Sequence, residues 1–268
     1  MKISILVLLL LAVLYVFSLQ GRRNHPGLKQ LRAHSYAHRG LHDEDRPENS
    51  MAAFKAAVER GYGIELDIHL LADGDLAVIH DSLLMRTTGA EGRVEDLTRQ
   101  QLADYRLEGT DQTIPAFTDV LQMVGGKTPL IVELKSAGDN YAALTEKACA
   151  VLENYPGTYC IESFDPRCIR WLKKNRPGVV RGQLAGNFMS SGGSEPWLLK
   201  FAMTYMLCNF LLTPDFVAYK FNDRKNLSVY LVRKLWGVQG VTWTLKTPEE
   251  YTQAVKEGWL PIFENFIP

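Results

Sequence analysis

The chain has 268 residues, enough for one α/β barrel or for two smaller domains. Its 30 basic and 30 acidic side chains cancel, which argues against a nucleic-acid partner and against a disordered acidic tail. An apolar content of 46% is ordinary for a globular core.

The N-terminus, MKISILVLLLLAVLYVFSLQGRR, holds an apolar stretch from Ile3 to Leu19. It is just long enough for a membrane span of about 17–25 residues, and it lacks the A-x-A site of a signal peptide. We therefore expect residues 1–20 to form a single-pass transmembrane anchor, with a signal peptide as the alternative, and residues 21–34 to form a linker. The basic flank after the span, which includes Arg22 and Arg23, predicts a cytoplasmic body, with an extracytoplasmic body as the alternative.

From residue 35 onward, strand-like runs alternate with helical runs. The strand-like runs cover residues 35–40, 63–70, 76–81, 129–135, 158–164, 179–185, 215–220, 240–246 and 260–266. The helical runs are SMAAFKAAVERG, YAALTEKACAVLENYP, RCIRWLKKNRPG, NLSVYLVRKLWG and PEEYTQAVKEG. This alternation is typical of βα units and a parallel sheet.

Nine strands are one too many for an eight-fold barrel, and one pair of strands leaves no room for a crossover helix. A parallel crossover needs about a dozen residues, whereas Asp73-Gly74 is a hairpin signal. A two-residue turn at this dipeptide would pair Asp67 with His80 and make the second strand an antiparallel flap. Eight parallel strands remain, and they predict a (β/α)8 TIM barrel over residues 35–268.

Two segments interrupt the barrel pattern. Residues 82–128 are expected to form an insertion with short helices, and residues 186–214 a second one. The apolar run Trp197–Leu212 in the second insertion has two interpretations, a buried barrel helix or an amphipathic membrane-facing lid. Four cysteines without a CxxC pair are expected to be buried thiols, with a Cys160–Cys168 disulfide as the alternative in a secreted protein.

Polar and aromatic side chains mark the predicted carboxyl ends of the strands, where a TIM barrel carries its active site. They are His38, Arg39, Glu65, Asp67, Glu133, Lys135, Ser163, Trp243 and Glu264, and His80 joins them from the flap. Each alone has an ordinary structural explanation, such as a satisfied hydrogen bond or a surface ion pair. Their joint occurrence at successive strand ends favours a site, whereas His34, His42 and His69 lack such support and are expected to be structural.

The chemistry of these residue types points to phosphodiester cleavage. Three carboxylates converging on one mouth need a cation, and oxygen-only ligands suit Ca²⁺ or Mg²⁺. Arg39 and Lys135 are donors suited to a phosphate. Two histidines can supply one acid and one base near neutral pH.

Several motifs resemble those of the glycerophosphodiester phosphodiesterases over about residues 35–268. They are AHRG, PENS, IELDIHL, DGDLAVIHD, LMRTTGAEGRVEDLT, IVELK, ESFDP and VTWTLKTPEE. The resemblance implies a TIM barrel, one divalent cation (Ca²⁺ or Mg²⁺) and hydrolysis of a glycerophosphodiester to glycerol 3-phosphate and an alcohol. The C-terminal LPIFENFIP departs from the family's usual Asp-Gly-Ile-x-x-Asp-like strand, which leaves the role of Glu264 open.

The resemblance also implies roles for single residues. Glu65, Asp67 and Glu133 match the metal ligands, and His38 and His80 match the acid/base pair. Arg39 and Lys135 match the phosphate-binding positions, and Trp243 matches the aromatic residue at the mouth.

Two alternative functions remain open at this point. The apolar N-terminus and the Trp197–Leu212 run suggest a lysophospholipase D acting on membrane lysolipids. A barrel without activity, used as a membrane-anchored binding module, is the alternative from another class. The complete set of histidines and carboxylates argues against the second of these.

Overall fold

A computed structural model of the protein describes residues 2–190 and 196–268. Its strands are β1 (Tyr36–His38), β2 (Gly63–Leu70), β3 (Leu76–Val78), β4 (Leu130–Leu134), β5 (Tyr159–Ser163), β6 (Arg181–Ala185), β7 (Phe216–Lys220), β8 (Gln239–Leu245) and β9 (Leu260–Phe263). All except β3 are parallel to their neighbours, and the pairing of β1 with both β2 and β9 closes the sheet. The predicted eight-stranded parallel TIM barrel is therefore confirmed.

The helices lie outside the barrel, and most of those that connect successive strands bury apolar residues against the strands, whereas the first helix is exposed along most of its length. They are α1 (Lys2–Ser18), α2 (Leu28–Leu31), α3 (Met51–Glu59), α4 (Met85–Thr88), α5 (Phe117–Val124), α6 (Tyr141–Leu152), α7 (Pro166–Asn175), α8 (Trp197–Thr204), α9 (Asn209–Leu212), α10 (Leu227–Lys234) and α11 (Pro248–Lys256). Side chains of Ser50, Asp165 and Thr247 cap α3, α7 and α11 by accepting backbone N–H bonds at their first turns. These caps fix where each helix begins after its strand.

The β2–β3 hairpin is antiparallel, as predicted, but its register differs by one residue from the predicted one. Leu71 N donates to Asp75 O at 2.9 Å and Gly74 N to Leu71 O at 3.0 Å, so the loop has three residues and Gly74 takes a φ of +79°. This is a turn closed by a glycine bulge, a common alternative to the two-residue turn. Asp67 consequently faces Ile79, not His80. The predicted Asp67–His80 pairing was wrong because Gly74 closes the bulge.

The segment expected to be a linker, residues 21–34, packs across the amino-terminal end of the barrel. Leu28 and Leu31 of α2 are buried in one cluster with barrel residues such as Phe216. Arg22 binds the buried Asp215, with Nη2 donating to Oδ2 at 2.7 Å. The segment therefore closes the bottom of the barrel and has a role in packing that its composition did not suggest.

Helix α1 is apolar and exposed along most of its length, and its last turn contacts the barrel. Phe17 packs against Phe210 with ring centroids 6.1 Å apart, and Tyr15 Oη lies 2.7 Å from Ser228 Oγ. Among the helices of the described residues, none combines the length and the apolar character that crossing a membrane requires. The predicted transmembrane anchor is therefore not supported.

The two predicted insertions carry short helices. Residues 82–128 form α4, two short 3₁₀ helices and α5. Val94 and Leu102 of the 3₁₀ helices pack in a small apolar cluster with Ala77 and Ile79 of the hairpin, whereas α5 packs in the main core and takes the place of the helix between β2 and β4. In residues 186–214, Trp197 at the start of α8 is 70% exposed, whereas Leu212 at the end of α9 is buried. The Trp197–Leu212 run is therefore half surface and half core. The four cysteines are free thiols, so the alternative disulfide is absent.

Candidate active site

A cavity of about 300 Å³ opens at the carboxyl ends of the barrel strands. Its lining includes His38, Arg39, Glu48, Glu65, His80, Glu133, Glu162, Lys135, Trp243 and Glu264. The structure thus brings to one cavity seven of the eight residues to which the family resemblance assigned roles, together with Glu264, whereas Ser163 is not in its lining. The eighth, Asp67, is buried directly beneath it and contacts Lys135 Nζ through Oδ1 at 3.0 Å.

His38 ends β1 and is oriented by Glu264, which follows β9. The Nδ1 atom of His38 lies 2.5 Å from Oε2 of Glu264, and its Nε2 lies 3.9 Å from Oε2 of Glu65. Burial lowers the pKa of His38, and the hydrogen bond with Glu264 works against that shift. A neutral His38 that donates from Nδ1 to Glu264 leaves Nε2 as a proton acceptor facing the cavity.

The AHRG and PENS motifs meet in space because Gly40 turns the chain toward α3. Gly40 has a φ of +83°, and a Cβ there would lie 2.9 Å from Ala53. Glu48 accepts a bond from Arg39 Nη1 at 2.9 Å, and Asn49 Nδ2 donates to Oδ2 of Asp67 at 2.9 Å. The Pro-Glu-Asn-Ser run thus orients a cation and a carboxylate of the site while Ser50 begins the helix.

Glu65, Asp67 and Glu133 are buried together and can offer carboxylate oxygens that all lie within 4.8 Å of one another. Asp67 and Glu133 are in register on the neighbouring strands β2 and β4, so their side chains point the same way. Lys135 Nζ lies 2.7 Å from Oε1 of Glu133. An all-oxygen set of buried carboxylates fits a hard divalent cation such as Ca²⁺ or Mg²⁺.

The crowding of these charges shifts their pKa values in opposite directions. Burial raises the pKa of Glu65 well above its ordinary value, and the nearby Asp67 raises it further. Burial likewise raises the pKa of Glu133 to about 7. Burial opposes the ionisation of Asp67 too, but the charges of Lys135, His80 and Arg39 and the hydrogen bond from Asn49 together outweigh it and hold the pKa of Asp67 below its usual range. A divalent cation would favour the ionised form of all three.

His80 leaves the end of the hairpin and reaches the cavity despite the shifted register. Strand β3 ends at Val78, so His80 lies beyond the ladder and is not bound by its alternation. His69 holds the backbone there through Nε2, 3.1 Å from the carbonyl oxygen of His80. The Nδ1 atom of His80 lies 2.5 Å from Oδ1 of Asp81. Burial lowers the pKa of His80.

An apolar wall stands opposite the charged residues. Trp243 and Phe164 meet edge to face with ring centroids 5.6 Å apart, and Phe188 packs on Phe164 at 5.9 Å. Leu184 completes the wall of the cavity. This side of the mouth can hold an apolar part of a ligand next to the charged side.

The sequence interpretation missed four residues around this cavity. Glu48 and Asn49 belong to the quoted PENS motif, whose polar spacing was the available signal. His42, which we expected to be structural, lies with Nε2 3.9 Å from Oε2 of Glu264. Glu162 lines the cavity from β5, next to Ser163, and the ESF run gave no sign of it. Of the other two histidines expected to be structural, His69 binds Glu95 within the fold and His34 lies near Gln30 O.

The barrel and its charged mouth define a TIM-barrel enzyme with its site at the carboxyl ends of the strands. The model of the glycerophosphoryl diester phosphodiesterase family matches residues 38–267. The chain therefore belongs to the glycerophosphoryl diester phosphodiesterase family, as the motifs indicated. It is accordingly an enzyme, a phosphoric diester hydrolase.

Individual relatives agree with this assignment. A glycerophosphodiester phosphodiesterase of Caldanaerobacter subterraneus is 32% identical over 235 residues, which cover 83% of this chain and 89% of the relative. Human glycerophosphodiester phosphodiesterase 1 is 29% identical over 258 residues, covering 82% of this chain and 73% of that protein. Among solved structures, an Oleispira antarctica phosphodiesterase in complex with the product sn-glycerol-3-phosphate has a TM-score of 0.72 at 19% identity. The match covers 86% of this chain and 92% of the Oleispira antarctica chain. That likeness supports the fold.

Proposed function

We propose that this chain hydrolyses glycerophosphodiesters to glycerol 3-phosphate and an alcohol, with a divalent cation held by Glu65, Asp67 and Glu133. The observation that carries the proposal is the meeting of these three buried carboxylates with two histidines in one cavity. Family membership supplies the reaction class, and the cavity supplies the groups that the reaction requires.

The bound cation, Ca²⁺ or Mg²⁺, would neutralise charge on the phosphate and lower the pKa of a coordinated hydroxyl. Arg39 and Lys135 contribute positive charge beside it and bind phosphate oxygens. Arg39 is held toward this position by Glu48, and Lys135 by Glu133. The trio of carboxylates and these two cations therefore orient the phosphorus centre for attack.

We assign proton abstraction to His38 and protonation of the leaving alcohol to His80. Burial lowers the pKa of His38, which favours the neutral ring, and the bond from Nδ1 to Glu264 leaves Nε2 as the atom that accepts a proton. It takes the proton of the substrate 2-hydroxyl, whose oxygen attacks phosphorus. The bond to the leaving alcohol breaks, and His80 gives that oxygen a proton. Water then opens the cyclic phosphate with the two roles reversed.

Leaving-group chemistry tests the division of roles. His38→Ala and His80→Ala should each lower kcat by roughly 10²–10⁴-fold on a natural diester, the usual contribution of general acid–base catalysis. A nitrophenyl diester needs no proton on its leaving group, so it should restore the rate of His80→Ala and leave His38→Ala slow. Equal restoration of both variants would contradict the assignment.

The cation site has a test of its own. Ligand binding to the folded state stabilises it by about 2.7 kcal/mol at a hundredfold excess over Kd. Calcium or magnesium should therefore raise the melting temperature of the wild-type protein, and Glu65→Ala should lose both this shift and activity. A Glu65→Ala protein that keeps the wild-type shift would exclude Glu65 as a ligand.

Lysolipid cleavage is the second candidate function, and the apolar wall of the mouth favours it. A lysophospholipase D of Rattus norvegicus is 33% identical over 132 residues, which cover 44% of this chain and 40% of that protein. An acyl chain could lie along Trp243, Phe164 and the exposed start of α8. Rates on glycerophosphocholine and lysophosphatidylcholine compare the two candidates. Trp243→Ala should slow the lysolipid more than the water-soluble diester if the wall serves an acyl chain.

For location, we propose that the protein attaches to a membrane through α1 and keeps its barrel on the cytoplasmic side. The apolar surface of α1 supports this, with Leu6 68% exposed and Leu8 65% exposed, as does the basic flank at Arg22 and Arg23. Flotation of the full chain with lipid vesicles tests the attachment. Deletion of residues 2–14 should abolish flotation, and flotation that survives the deletion would contradict it.

A further inference from the structure

Glu162 is a buried carboxyl of the mouth that the mechanism above does not use. It lies in β5 with 1% of its surface exposed, and it is in register with Glu133 of β4. Residues that are paired in register on neighbouring parallel strands point to the same side of the sheet, and their backbones lie about 4.8 Å apart. Glu162 therefore points into the cavity beside a carboxylate of the proposed cation site, and it lines that cavity.

One oxygen of this carboxyl is unpaired among residues 2–190 and 196–268. Oε2 of Glu162 is buried, and no hydrogen bond reaches it from any residue in the described part of the chain. Buried polar atoms in native proteins are nearly always hydrogen-bonded, so an unpaired carboxylate oxygen that faces a functional cavity needs a ligand or another explanation. A cation in the cavity supplies one.

The charge balance of the mouth points to the same ligand. The buried acids at the centre are Glu65, Asp67, Glu133 and Glu162, and the cations that face them are Arg39 and Lys135. Arg39 is further shared with Glu48. The mouth therefore holds more buried carboxyl groups than cationic side chains, and a divalent ion would favour the ionised form of these carboxyls and balance their charge.

We propose that Glu162 is a fourth carboxylate of the divalent-cation site and that its charge sets how tightly the ion binds. The inference rests on the proposed function, because it needs an ion at Glu65, Asp67 and Glu133. Ca²⁺ accepts six to eight oxygen ligands, and the number of charged ligands tunes its affinity. Glu162 lies outside the group of carboxylate oxygens that are within 4.8 Å of one another, so it adds negative charge beside the proposed ion rather than one of its three principal ligands.

Calorimetric titration of the full chain with CaCl₂ and with MgCl₂ tests the proposal without recourse to activity. Glu162→Gln keeps the shape of the side chain and removes its charge. We expect it to weaken calcium binding by roughly 10–100-fold, the range for groups that support a metal site. Glu65→Gln, which removes a proposed principal ligand, should bind no calcium under the same conditions. Glu153→Gln, at an exposed glutamate just after α6, is the matched control and should bind like the wild type.

Thermal melting separates this role from a purely structural one. In chelator-treated protein Glu162→Gln replaces a buried carboxyl by a neutral amide of the same shape and should leave the melting temperature close to that of the wild type. With calcium added, the stabilising shift should be smaller than that of the wild type. A variant that is destabilised equally with and without calcium would show a structural role and overturn the proposal. If Glu162→Gln does not fold, Glu162→Asp, which keeps the charge on a shorter side chain, is titrated in its place.

The outcomes distinguish this inference from the proposed function. Wild-type binding that Glu65→Gln abolishes and Glu162→Gln leaves within twofold overturns the role of Glu162 and retains the cation site. A wild-type protein that binds neither calcium nor magnesium overturns both. For Glu162→Asp, loss of affinity without loss of the folded state supports a direct part in binding, and wild-type affinity overturns it.

Discussion

Glu264, whose role the sequence left open, contacts His38, and the effect of removing its charge can be calculated from this contact. Its Oε2 lies 2.5 Å from Nδ1 of His38, and both side chains are largely buried. A hydrogen bond that involves a charged group contributes about 1.5–3 kcal/mol. If the transition state uses this bond fully, Glu264→Gln should lower kcat/KM by roughly 10- to 150-fold, at about 1.4 kcal/mol for each factor of ten.

The pH profile gives a second, independent signature of the same contact. Burial lowers the pKa of His38, whereas the hydrogen bond and negative charge of Glu264 raise it. Without that charge the pKa of His38 falls further, so His38 remains a neutral base at lower pH. The acid limb of kcat/KM for Glu264→Gln should therefore move to lower pH, although the maximal rate is reduced.

A matched control uses the other contact of the same carboxylate. Lys246 Nζ lies 2.8 Å from Oε1 of Glu264, and its side chain is mostly exposed. Exposed ion pairs contribute at most about 1 kcal/mol, so Lys246→Met should change kcat/KM by less than about fivefold. The reasoning is refuted if Glu264→Gln stays within threefold of the wild type and its acid limb does not move.

Three further predictions concern packing, pH and support of the cation site. Gly40→Ala should lower the free energy of unfolding by about 2–5 kcal/mol in urea titrations, because strain at positive φ adds to overpacking. Gly74→Ala, with no atom within 4 Å of its Cβ, should lower it by only about 1–2 kcal/mol. Equal losses for the two variants would contradict the packing contribution. Because the pKa of Glu133 is about 7 in the ion-free site, a cation must displace its proton, so calcium affinity by calorimetry should rise between pH 6 and 8, and a constant Kd would contradict this. Asn49→Ala removes the donor to Asp67 and should weaken calcium binding roughly 10–100-fold; unchanged affinity would show that this bond does not support the site.

The sequence predicted the barrel well because its signals are local and repeated. Apolar runs that end in polar residues identified all eight parallel strands, and turn chemistry identified β3 as an antiparallel flap. The same rule placed His38, Glu65 and Glu133 at one mouth, since parallel strands carry their carboxyl ends to the same edge. Residues at strand ends are predictable because the topology alone brings them together.

Other features depend on contacts that no local pattern encodes. The predicted hairpin register was wrong because Gly74 closes a bulge. The dipeptide Asp73-Gly74 is compatible with both the two-residue turn and the three-residue loop with a bulge. Leu28 and Leu31 pack against residues from several barrel strands, so their burial cannot be predicted from the sequence around them. Glu162 lies in a run that gave no polar alternation, and only its register with Glu133 places it in the cavity.

Metal dependence is the most direct test of hydrolysis at this mouth. Purified full chain is incubated with glycerophosphocholine, and release of sn-glycerol 3-phosphate is followed after EDTA treatment and after calcium or magnesium is restored. We expect EDTA to abolish release, a divalent cation to restore it, and Glu65→Gln to release nothing under either condition. Hydrolysis that persists in EDTA, or that survives in Glu65→Gln, would contradict this expectation.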